Sequence, residues 1–175
     1  GSGHEFYGQA CNAGLEGVVS KLADSRYVSG RTKSWLKTKC HQRAELVIGG
    51  YSRSSVRGRP FSSLLLGTFE NGALIYAGKV GTGFSSADLD ALAKRFKPVE
   101  QRKSSFVEVP AIERKDAVWL KPKLVCEVEY TEWTRDGRLR HPSFQGLRED
   151  KPAADVRRDV PSGEEAELAP AKSVA

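Results

Sequence analysis

Methionine is absent from the 175 residues, and histidine and cysteine occur three times each. Cys11, Cys40 and Cys126 stand apart, with no Cys-x-x-Cys pair. That count and spacing argue against a disulfide framework and against a structural zinc site, and they fit a reducing cytoplasm. Cys126 falls inside an alternating strand pattern, where a free cysteine behaves as a small buried hydrophobe. His41 and His141 lack ligand-spaced neighbours and read as ordinary surface or loop residues. No apolar run approaches the roughly 20 residues a bilayer requires, so a membrane-spanning helix is excluded. Residues 1–6 (Gly-Ser-Gly-His-Glu-Phe) have no apolar h-region and read as a cloning remnant outside the fold.

The composition is that of a globular chain, 39% hydrophobic and 29% charged, with a net charge of +6. The charge is uneven. Residues 152–175 hold three basic and five acidic side chains, a net −2, so the preceding 151 residues carry +8. An excess of that sign on the folded part favours a polyanionic partner, because each neutralised phosphate releases condensed counterions. A solubilising surface is the plainer alternative. The last segment is rich in Ala, Pro, Glu and Ser and is expected to be disordered, as an acidic tail or a linker.

Residues 7–41 contain two strand-like runs, at 17–21 and 35–40, with the turn formers Asp24, Ser25, Ser29 and Gly30 between them. Two strands cannot bury a core alone. Residues 42–151 carry a clearer rhythm. A strand at 44–51 precedes a polar, basic loop at 52–60. Two further strands, at 63–70 and 73–80, flank Asn71-Gly72, a pair suited to a tight hairpin turn. Ser85 and Asp88 form a capping signature. Leu89, Leu92, Ala93 and Phe96 then mark one apolar helix face, which Pro98 ends. Residues 97–116 read as a charged loop. Leu124, Cys126, Val128 and Tyr130 alternate with Val125, Glu127 and Glu129, giving one buried and one mostly wet face. Asp136-Gly137 turns the chain into a return strand at Leu139. This order matches a mainly β fold, a five-stranded OB-fold barrel with one helix between strands three and four, preceded by a short β fragment. An α+β sandwich fits the same pattern.

Three groups of residues carry chemistry. Lys37 and Lys39 are two apart on a strand, so their ammonium groups share a face with Trp35 and can reach one phosphate. Glu16 is a hard carboxylate ligand suited to magnesium, and it precedes an apolar pair and Lys21. Arg148-Glu149-Asp150-Lys151 offers a planar fork for phosphate oxygens beside a second cation. Each run alone is equally an amphipathic strand or a charged strand end with its side chains in water. Gly81-Thr82-Gly83 lacks the spacing of a phosphate loop and reads as a strand-to-helix turn.

The order and spacing of these runs are more specific. Glu16-Gly17-Val18-Val19-Ser20-Lys21, Trp35-Leu36-Lys37-Thr38-Lys39 and the stretch His141-Pro142-Ser143-Phe144 through Arg148-Glu149-Asp150-Lys151 resemble motifs IV, V and VI of ATP-dependent DNA ligases. The similarity is greatest to the bacterial end-joining ligase D group. It covers about Leu15 to Lys151.

The resemblance implies that residues 7–41 end a nucleotidyltransferase domain and that residues 42–151 are its OB-fold companion. It implies ATP as cofactor, with Mg2+ or Mn2+ held by Glu16 and with Lys21, Lys37 and Lys39 near the nucleotide phosphates. Arg148 and Lys151 would be brought over the β- and γ-phosphates. It implies nicked or broken duplex DNA as partner, for which Arg53, Arg57 and Arg59 are the first candidates and Lys79 and Arg138 the next. It further implies the Ku protein and other ligase D modules on the same chain, a monomer, and the bacterial cytoplasm near the nucleoid. The family's nucleophilic Lys-x-Asp-Gly does not occur among these residues, so the chain alone is expected to be inactive. An RNA capping guanylyltransferase fragment and a non-catalytic OB-fold nucleic-acid-binding module are the alternatives.

Overall fold

The computed structural model describes residues 3–26 and 34–158. Helix α1 (Gly3–Asn12) leads to a two-stranded antiparallel ladder of β1 (Gly17–Lys21) and β2 (Trp35–Lys39). Then come β3 (Gln42–Ser52), β4 (Ser63–Glu70), β5 (Ala73–Val80), α2 (Ser86–Phe96), the short β6 (Glu100–Gln101), α3 (Ala111–Arg114), β7 (Ala117–Tyr130), the hairpin β8 (Glu132–Trp133) and β9 (Leu139–Arg140), and β10 (Ser143–Arg148).

The main sheet runs β10-β7-β3-β4-β5, with β6 beside β7. This is the mainly β class expected, a curled half-barrel with the helix α2, and after it the single turn α3, between β5 and β7. Among the described residues no ladder joins β5 to β10. The chain leaves β5 at Val80, and the single backbone bond from Phe144 N to Thr82 O, 3.0 Å, spans the gap. Phe84 stacks on Phe144 of β10 there, and Leu92 and Phe96 of α2, each 1% exposed, belong to the core cluster.

Local chemistry explains the best-placed elements. Asn71 (φ 50°) and Gly72 (φ 80°) take the left-handed conformations that a tight hairpin turn requires. At α2 the Ser85 hydroxyl accepts from Asp88 N while the Asp88 carboxylate accepts from Ser85 N. A cap of this kind stabilises by about 0.5–2 kcal/mol.

The sheet is buried on both faces, which explains the continuous apolar runs. Leu46, Ile48, Leu64, Leu66, Cys126 and Val128 face the interior, with Phe61 and Phe96. Val47, Leu65 and Val125, one residue out of phase, face a second cluster built on Phe106, Val109 and Val156. The Phe106 ring lies where side chains at Gly49 and Gly67 would stand; a Cβ there would meet it at 2.4 and 2.7 Å. Glycine is the residue that permits this contact.

Four expectations are corrected. Within the stretch expected to lie outside the fold, residues 3–6 are helical, as the exposed first turn of α1, which begins at Gly3. Residues 97–116 are not a plain loop, because they hold β6, α3 and the buried Phe106 and Val109. Of the three residues expected on the mostly wet face of β7, Val125 is buried, covered by the second cluster, while Glu127 and Glu129 are partly exposed. Residues 152–158 are ordered against the sheet. Val156 is fully buried and its carbonyl accepts from Phe69 N at 2.9 Å; the rest of the expected tail lies outside the described residues. Deleting residues 152–175 is therefore expected to lower the unfolding free energy by roughly 2 kcal/mol, the scale of one buried valine. Urea denaturation measures it, and an unchanged midpoint would refute the seating of this segment.

Candidate nucleotide-binding clusters

The β1–β2 register sets Lys39 opposite Gly17, Lys37 opposite Val19 and Trp35 opposite Lys21. Directly opposed residues share a face, so Lys21, Lys37, Lys39 and Trp35 lie on one side of the ladder. Glu16 precedes β1 and gathers two of the lysines: its Oε1 is 2.9 Å from Lys37 Nζ and 3.5 Å from Lys39 Nζ. The hydrogen bond from Lys37 and the two positive charges lower the Glu16 pKa. The pairing is therefore lost at a lower pH than that at which an unpaired glutamate takes up its proton. Lys21 turns instead to the Ser25 carbonyl, 3.0 Å away. Leu36 and Val19 are 65% and 57% exposed, as expected of two strands without a core of their own.

The absence of a disulfide, expected from cysteine spacing, is overturned. Cys11 and Cys40 are bonded, with Cα atoms 5.3 Å apart. The spacing of 29 residues hides the pairing. The fold creates it by laying α1 along the ladder, where Tyr7 Oη donates to the Lys39 carbonyl at 2.9 Å. The cysteine pattern therefore carries no information about redox compartment. Cys126 is the free, buried thiol expected, and desolvation raises its pKa.

Arg148 and Lys151 occupy the outer face of the barrel. Arg148 donates through Nε and Nη2 to both oxygens of Asp150, at 3.0 and 2.9 Å. Its Nη1 lies 2.9 Å from Glu45 Oε1 and 3.0 Å from Glu127 Oε2. Lys151 pairs with Glu45. The hydrogen bonds and charge of Asp150, then Glu127 and Glu45, push the Arg148 pKa upward, and Arg148 in turn holds Asp150 down at about 2. Glu45 and Glu127 had no signal in the sequence beyond their place on wet strand positions. The two groups of cations thus have separate partners, Glu16 for one and the barrel carboxylates for the other.

The five basic residues considered for DNA divide. Arg53 and Arg57 are exposed. Arg59 braces its own loop, donating to the carbonyls of Phe61, Ser62 and Gly81. Lys79 pairs with Glu113 at 2.9 Å. Arg138 donates to the Tyr76 carbonyl and lies 4.4 Å over the Tyr76 ring. That ring belongs to a depression of about 420 Å³ in which Arg135, Arg138 and Arg158 face Glu70, Glu108 and Asp136, without net charge. The aromatics that could have formed a base-stacking platform, Tyr51, Phe69, Tyr76 and Trp133, all pack against the two core clusters.

Among the described residues no three His, Cys, Asp or Glu side chains gather as a metal site. Glu16 is a carboxylate, the hard-ligand type that magnesium takes, and here it is engaged by Lys37 and Lys39. No helix among those residues is long and apolar enough to cross a membrane.

Residues 57–151 match the family model of the ATP-dependent DNA ligase C-terminal region. The chain belongs to that family. The LigD multifunctional non-homologous end-joining protein of Pseudomonas aeruginosa is 42% identical over 163 residues, 91% of this chain and 19% of the relative. LigD of Mycobacterium tuberculosis is likewise 42% identical over 91% of this chain and 21% of its own length. The crystal structure of the M. tuberculosis LigD ligase domain shares the fold with a TM-score of 0.67, at 42% identity over 91% of this chain and 52% of that domain. A mycobacterial DNA ligase D complexed with ATP gives a TM-score of 0.63 over the same shares. This ligase C-terminal region thus spans about a fifth of its curated relatives and half of the solved ligase domains.

Proposed function

We propose that this chain is the C-terminal part of a DNA ligase that seals breaks through an enzyme–AMP intermediate, and that it supplies cations to the nucleotide site without the nucleophile. What carries the reading is the arrangement of Lys37, Lys39 and Lys21 on one face beside Glu16, with Arg148 and Lys151 on the barrel. Nucleotidyl transfer builds negative charge on the α-phosphate and on the departing pyrophosphate. Lys37 and Lys39 neutralise the first, and Lys21 adds to the field. Arg148, a fork for phosphate oxygens, and Lys151 hold the β- and γ-phosphates so that the leaving group departs in line. Magnesium, with Glu16 as its protein ligand, supplies further charge neutralisation.

For the later steps the same barrel grips nicked or broken duplex DNA through its backbone, without sequence preference. Arg53 and Arg57 are the strongest contacts by exposure; Arg59, Lys79 and Arg138 follow after release from their present partners. Ku and further ligase D modules are the partners such a protein has in end joining, in the bacterial cytoplasm at the nucleoid.

Incubation with labelled ATP and magnesium tests this. The chain alone should acquire no covalent AMP, whereas the same chain extended upstream through a Lys-x-Asp-Gly segment should become labelled. Label on the isolated chain, or none on the extended one, refutes the proposal.

A further inference from the structure

The pairing of β3 with β7 sets Glu45 directly opposite Glu127. Two like charges at such a position destabilise a sheet, and both side chains are only 20% exposed. The cost is offset by three cations. Arg148 bridges both carboxylates, Lys151 takes the second oxygen of Glu45, and Arg43 takes the second oxygen of Glu127 at 2.9 Å. With Asp150 included, three acids and three bases meet there. The guanidinium of Arg148 is therefore engaged by three carboxylates. An arginine so held cannot also accept a phosphate in its fork; one partner has to leave.

We propose that Glu45 and Glu127 form a carboxylate cradle that holds Arg148 and Lys151 on the barrel face and competes with polyphosphate oxygens for them. This rests on the reading of Arg148 as a phosphate ligand. The two glutamates are positioning residues that touch no reacting atom. They keep the two cations gathered and in register.

Binding of inorganic tripolyphosphate to this chain, followed by calorimetry at fixed low salt, tests the cradle. The double variant E45Q/E127Q is expected to bind about tenfold more tightly than the parent, because it frees Arg148 and Lys151 from partly exposed, individually weak ion pairs. The gain should vanish when R148A is added. The control E70Q/E132Q removes the same charge elsewhere and should give a much smaller gain. If E45Q/E127Q does not fold, the single variants E45Q and E127Q are read instead, each for about a threefold gain. No gain in any of these, or an equal gain in the control, overturns the cradle while leaving Arg148 as a ligand wherever R148A alone weakens binding. Tripolyphosphate binding that is indifferent to R148A in every background, or absent throughout, overturns the phosphate reading as well.

Discussion

In a polypeptide extended upstream to carry the Lys-x-Asp-Gly nucleophile, Arg148→Ala is expected to slow self-adenylylation about 10²–10³-fold, the usual cost of deleting one charge-stabilising donor. Single-turnover transfer of labelled AMP measures it. Arg148→Lys should recover only part of the loss, because an ammonium is a point charge without the planar fork. Arg59→Ala, in contrast, should leave adenylylation near that of the parent while loosening the loop whose carbonyls it holds. An Arg148→Ala enzyme with undiminished AMP transfer would remove Arg148 from the nucleotide site.

Phe61→Ala is expected to cost about 3–5 kcal/mol of folding stability, the range for deleting a large aromatic from a core. Phe61 is fully buried, and its ring centroid lies 5.4–6.1 Å from those of Phe84, Phe96 and Tyr51. From the segment just before β4 it thus joins Tyr51 of β3 to Phe96 of α2, and through Phe84 it reaches the part of the half-barrel where no strand pairing closes the sheet. Chemical denaturation followed by near-ultraviolet circular dichroism reads the loss. A change below 1 kcal/mol would mean that the helix is held on by other contacts.

What was legible in the sequence was local. The Asn71-Gly72 turn and the Ser85–Asp88 capping box are decided by neighbours a few residues away, and both are present. The apolar face of α2 followed from its period, and Leu92 and Phe96 are its buried members. The β1–β2 register agrees with the shared face expected of Lys37, Lys39 and Trp35. What escaped depends on distant partners. Phe106 looks like a loop residue until Gly49 and Gly67 are brought beneath it from two strands. The Cys11–Cys40 bond requires a helix over residues 3–12, an element not among those expected from the sequence. Glu45 and Glu127 are 82 residues apart, as the pairing of β3 with β7 requires. Only that register, which hydrophobic alternation does not specify to the residue, makes them a pair.

The seating of Val156 also restricts how this protein can move. Arg148 is stitched to β7 on one side, and the backbone a few residues later is pinned to Phe69 on the other. Arg148 to Lys151 are therefore tied to the half-barrel on both sides, and under the proposed function their approach to a nucleotide would be an excursion of the half-barrel as a whole. Cys40 is bonded to Cys11 and to the Glu16 carbonyl, while Gln42 already pairs with Tyr130. The pivot for that excursion is thereby narrowed to the backbone around His41.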